Sequence, residues 1–160
     1  MRFRSYTFKS EPRGRTYDRL VDFAPTECAT ALLVVRDPLA LSPTAHDVLR
    51  QLDSCLRERS EQSEWPGTVL LGHTATVYRY SLTPVFLDTV KRVARGLFDW
   101  VEPGLPDDLC FLSADGQPWL VTIAHERDVY MELSEDQHAR LLKQIPELAE
   151  LLAADADEVS

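Results

Sequence analysis

Apolar side chains recur along this chain with two different periods, and stretches of the two kinds follow one another. At Ala45, Val48, Leu49, Leu52, Cys55 and Leu56 they fall three and four apart, the spacing of one helix face. Ser42-Pro43 stands just before, an N-cap followed by proline at the first helical position. Together they predict a helix running to about residue 60. Thr83-Pro84 repeats the start signal ahead of Phe86, Val90, Val93, Leu97 and Val101, a stripe widened by Leu87, Ala94 and Phe98. Thr16 is a candidate cap for a shorter helix with Tyr17, Leu20, Val21 and Ala24 on its apolar face, ended by Pro25.

The strand-like stretches are shorter. Ala31-Leu32-Leu33-Val34-Val35 is apolar throughout, which suits a strand buried on both faces. Residues 2–9 combine aromatics with β-compatible types and stop at the turn Glu11-Pro12-Arg13-Gly14. Trp65-Pro66-Gly67 is a second turn. The segment after it, Thr68 to Leu82, holds either two strands or one strand bulged near Gly72. Further on, Leu109 to Ser113, Trp119 to His125 and Val129 to Leu133 are closely spaced strands. Asp115-Gly116 between the first two predicts a hairpin turn with positive φ at both central residues. Strict alternation along the middle strand sets Trp119, Val121, Ile123 and His125 on one face. Ser134 with Gln137 three residues on forms a capping box for a last helix, which Pro146 kinks before Leu148, Leu151 and Leu152.

The resulting order is β-α-β-α-β(β)-α-β-β-β-α, an α+β (mixed α/β) chain. It predicts a single globular domain over 1–153, with a mixed sheet, a C-terminal three-stranded antiparallel meander and about four helices packed on it. An acidic frayed C-terminus is expected over 154–160. The 160 residues, 44% of them hydrophobic, are ample for one core. They exclude a disordered tail, a collagen-like repeat and a disulfide scaffold. No run approaches a membrane helix, and no secretory signal follows the charged start. With Cys28, Cys55 and Cys110 odd in number and far apart, reduced thiols in cytoplasm are the simplest expectation. The excess of arginine over lysine points to a GC-rich coding sequence, as in some bacteria, and carries no functional weight.

Net charge sharpens the functional reading. The chain stands at −9, yet residues 1–20 carry a local +4 and residues 134–160 a local −5. Arg2, Phe3, Arg4, Tyr6, Phe8 and Lys9 have the composition of a single-stranded nucleic-acid platform, or of an outer strand kept soluble by its charges. The acidic remainder makes nucleic acid an improbable partner.

Motifs are sparse. Glycines are scattered singly, with no phosphate loop and no nucleophile elbow. His125-Glu126-Arg127-Asp128-Val129 lacks the second histidine of a zinc helix, so neither metal nor cofactor is expected.

Two classes of function remain. The first is a non-enzymatic cytoplasmic protein-binding domain for a basic partner, such as an inhibitor, an immunity-type protein or an adaptor. Asp107, Asp108 and Glu126 are its candidate exposed acids, with Trp65 and Trp100 as aromatic anchors. The second is a small enzyme or small-molecule binder with a pocket near His73 and His125. There His125 would act as general base, with Asp115 or Glu126 as helper. His46 and His138 read as surface residues.

Overall fold

A computed structural model describes residues 2–155. The elements are β1 (Phe3–Phe8), α1 (Arg15–Glu27), β2 (Thr30–Val35), α2 (Pro43–Leu52), β3 (Leu56–Gln62), β4 (Glu64–Trp65) and β5 (Thr68–Val69). There follow β6 (Ala75–Ser81), α3 (Pro84–Val93), β7 (Asp107–Leu112), β8 (Pro118–Ile123), β9 (Asp128–Ser134), α4 (Glu135–Gln144), α5 (Leu148–Leu151) and β10 (Leu152–Ala154). Eight strands form one sheet in the order β10-β1-β9-β8-β7-β2-β6-β3, while β4 and β5 make a separate hairpin. The α+β class and the meander β7-β8-β9 are as expected. The sheet is not mixed, however, because every pairing in it is antiparallel.

The sheet has a different cover on each face. On one, alternate strand residues such as Tyr6, Phe8, Leu33, Tyr80, Phe111 and Met131 pack with Tyr17, Leu20, Val48, Phe86, Leu141 and Leu148 of the helices. On the other, Leu32, Val34, Ala75, Val77, Cys110 and Val121 meet Trp65 and Leu70 of the β4–β5 arm. Both β2 and β7 are buried at every position, which is why Ala31 to Val35 carries no polar residue. The arm lies close to the sheet at Gly67. A Cβ there would stand 2.8 Å from Val121 Cγ1, and φ is +87°, so only glycine fits.

Several boundaries differ from the periodicity. Gly14, not Thr16, stands at the N-cap of α1, and the helix runs past Pro25 to Glu27. The helix from Pro43 ends at Leu52. Cys55 sits in a 3₁₀ turn, and Leu56 begins a strand whose exposed charges mark a sheet edge. The next helix ends at Val93 because the chain extends at Ala94 and Gly96; Leu97 to Asp99 then form a 3₁₀ turn. Of the two options for Thr68 to Leu82, separate strands occur.

At the β7–β8 turn Gly116 has φ +86°, but Asp115 is not among the positive-φ residues. The turn closes with Gly116 N–H donating to Ser113 O at 3.0 Å, and the glycine alone of its residues carries positive φ. A register shift beside it breaks the alternation of β8 and turns Trp119 to the helix side, against Phe23 and Phe111.

β1 is not an outer strand: it lies between β9 and β10, with Tyr6 and Phe8 buried. His138 stacks on Tyr6 with ring centroids 4.4 Å apart, so it is no free surface residue. The boundary expected at 154 moves outward. Ala154 pairs with Tyr6, and Asp155 accepts from the Thr7 hydroxyl at 2.7 Å. The remainder of the expected acidic tail, residues 156–160, lies outside the described residues. Among the described residues no helix is long and apolar enough to cross a membrane.

One buried polar chain ties three elements on the helix side. Trp100 Nε1 donates to Tyr17 Oη at 3.1 Å, and the Tyr17 hydroxyl donates to Val90 O at 2.7 Å. Tyr17→Phe strands a donor and an acceptor where water has no access. It is expected to cost about 1–3 kcal/mol, measured by chemical denaturation with an unchanged slope.

Candidate functional site

Antiparallel pairing gathers one set of connections at one end of the sheet. The end of β2 faces the start of β6 through Val35 and Thr76, and the start of β7 through Val34 and Asp107. The end of β3 also meets the start of β6, and the end of β8 meets the start of β9. Segments 36–42, 63–74, 101–106 and 124–127 therefore share that end.

Beneath them lies a charged node. Asp107 and Asp108 are fully buried, with 0% exposure each. Neighbouring strand residues ordinarily point to opposite faces. Here Asp108 takes a left-handed backbone, φ +61°, beside a register shift between β2 and β7, and both carboxylates turn to Arg36. Aspartate tolerates that region better than most residues, since its short side chain bonds locally.

Arg36 Nη2 donates to Asp108 Oδ2 at 2.9 Å. Its Nε stands 3.0 Å from Asp107 Oδ2, an ion contact without hydrogen-bond alignment. The remaining carboxylate oxygens are also held. Asp107 Oδ1 accepts from Glu102 N at 2.7 Å, and Asp108 Oδ1 from Ala124 N at 3.0 Å. Trp65 Nε1 reaches Asp108 Oδ2 at 3.4 Å, and the Arg36 guanidinium lies 5.2 Å from the centre of the Trp65 ring. His125 Nε2 stands 3.2 Å from Asp107 Oδ2, with its side chain 46% exposed. Glu102 closes the ring by accepting the backbone N–H groups of Arg36 and Asp37 at 2.9 and 3.1 Å. The node thus ties all four segments together.

This geometry redistributes the sequence candidates. Asp107 and Asp108 are not exposed contact acids; their carboxylates are spent on Arg36 and backbone donors. Nor are Trp65 and Trp100 surface anchors, since both rings are buried in the two cores. Asp115 sits in the β7–β8 turn at the opposite end of the sheet, bonded to Ser113, so it cannot assist His125. Glu126 is exposed beside His125, but the acid that meets the imidazole is Asp107.

His73 shares the loop end, where its Nδ1 stands 3.1 Å from Leu71 O of its own loop. Neither histidine lines either of two clefts in the structure. One cleft, of about 620 Å³, lies between α1 and α4 around Arg19, Phe23 and Lys143; another, of about 260 Å³, crosses the helix-free face above Leu32 and Val77. Among the described residues, no group of three His, Cys, Asp or Glu side chains is placed to hold a metal ion. All three cysteines are free and buried. Burial raises the Cys28 and Cys110 thiol pKa values, which suits inert core residues.

Sequence reasoning missed Arg36 and Glu102. The available signal was local: two adjacent acids heading an apolar strand, and an arginine directly after an apolar run. Comparison with protein-family models, curated proteins and solved structures finds no match to this chain.

Glu102 makes the node sensitive to pH. Burial, and secondarily its bond with the Asp107 carboxyl, raise its pKa to about 7 from 4.5. The folded state therefore holds this proton more tightly than the unfolded chain. Its contribution to stability is complete below about pH 4.5 and is lost as pH rises through 7. Glu102→Gln is expected to remove that part of the slope of unfolding free energy between those pH values, measured by urea titrations across the range.

Proposed function

We propose that this chain is a non-enzymatic, cytoplasmic protein-binding domain, an inhibitor, immunity-type protein or adaptor, that captures a basic partner through the loop end of its sheet. One observation carries this reading. Among the described residues the three most exposed large apolar side chains, Leu39 at 96%, Leu71 at 86% and Val69 at 66%, all stand on segments gathered at that end. Exposed acids Asp37, Glu64 and Glu126 stand on the same segments.

Apolar side chains flanked by charge have the anatomy of a recognition surface, where apolar contacts supply affinity and charge selects the partner. The node underneath supports the reading further. By holding the four segments in one arrangement, it lowers the ordering cost of association. Net charge of −9 favours encounter with a basic surface.

The test is a variant carrying Leu39→Ser, Val69→Ser and Leu71→Ser. It is expected to melt with the wild type and to lose about tenfold or more in affinity for the basic protein captured from native cells. Binding that survives the triple substitution would sink the reading.

A second reading rests on a different observation. A half-exposed imidazole held 3.2 Å from a buried carboxylate is the arrangement of an oriented general base. On that reading His125→Gln abolishes turnover and leaves the melting temperature unchanged. A lower melting temperature with turnover intact would make His125 purely a member of the node.

A further inference from the structure

The sheet has two edges, and they are unlike. β10 is three residues long, whereas β3 presents seven residues with, among the described residues, no strand beyond it. A free edge of that length is a row of unpaired backbone donors and acceptors, a template for another strand. Its side chains decide which strand. Arg57-Glu58-Arg59-Ser60-Glu61 alternates in sign, which repels an apolar or like-charged strand.

We propose that the β3 edge pairs antiparallel with β3 of a second copy of this chain, centred on Ser60, so that two sheets become one. In a two-fold antiparallel pair one residue stands opposite its own copy, and the register follows from which residue that is. Centring on Glu58, Arg59 or Glu61 sets a charge against itself, which destabilises a pair. Centring on Ser60 sets a neutral hydroxyl there. Arg59 then faces Glu61 of the second copy, twice over by symmetry, and Glu58 faces Gln62.

The faces agree. Arg59 and Glu61 pair with Tyr78 and Thr76 of β6, so both stand on the helix-bearing side of the sheet. Each is held in place there: the Arg59 guanidinium lies 5.8 Å from the Tyr78 ring centre, and Glu61 accepts from the hydroxyls of Thr74 and Thr76. Glu58, Ser60 and Gln62 share the opposite side, where all three line the groove above Val77. Opposite charges that are already positioned gain more from meeting across strands than floppy ones. The interface is small and polar, so the dimer is expected to form over about 1–300 µM.

Sedimentation equilibrium with charge reversals tests the register. Wild type should dimerise with rising concentration, and β3 amides should gain protection from hydrogen exchange over the same range. Arg59→Glu and Glu61→Arg should each be monomeric, because each sets two like charges opposite one another. An equimolar mixture of the two variants should dimerise again, as should the chain carrying both changes, whose net charge equals that of the wild type. Melting temperatures confirm that each variant folds. A wild type that stays monomeric throughout, a dimer that survives Arg59→Glu, or a failure of the mixture to associate each overturns the proposal.

Discussion

Two carboxylates without exposed surface cannot remain charged in a protein interior unless a cation and hydrogen-bond donors meet them, and Arg36 is the cation that meets both. The backbone around the node bends to make this possible. Asp108 adopts a conformation unusual for a residue with a Cβ, and β2 slips in register against β7. Removing Arg36 would leave uncompensated negative charge beside Trp65, Ala124 and Glu102, each on a different connection. The node is therefore less a source of net stability than a lock that permits one arrangement of four segments.

The second cover of the sheet depends on the same lock. Trp65 belongs to the apolar cluster on the helix-free face and also touches Arg36 and Asp108. A single ring thus joins the arm to both the core and the node, and Gly67 allows the close approach that burial requires. Exposed Val69 and Leu71 lie beyond this anchor, on chain whose base is held.

Much of the architecture was legible in sequence because it rests on local rules. Ser42-Pro43, Thr83-Pro84 and the Ser134–Gln137 capping box start helices just where they should, since caps act within one turn. The misreadings came from longer-range effects. Cys55 and Leu56 continue a helical spacing, but the chain joins the sheet there because β6 offers Tyr80 as a partner for Leu56. Trp119 leaves the expected face because of a register shift that no alternation rule contains. At the site, the position of His125 at a strand end was readable, whereas its partner was not. Asp107 reaches it from the start of β7, beside the end of β8, and the burial that turns two acids inward depends on Arg36, 71 residues before Asp107.

The placement of β1 has a consequence for how the chain assembles. Its two sheet neighbours, β9 and β10, are supplied by residues 128–134 and 152–154, so its long-range pairings span most of the sequence. On a ribosome β1 must wait, aromatic side chains and all, until β9 and β10 emerge. The middle of the sheet, from β2 to β8, can order earlier. High sequence separation of this kind slows closure and prolongs exposure of an unpaired strand. The charges of Arg2, Arg4 and Lys9 flank Tyr6 and Phe8, the placement by which charged residues bordering an aromatic strand oppose aggregation while it is unpaired.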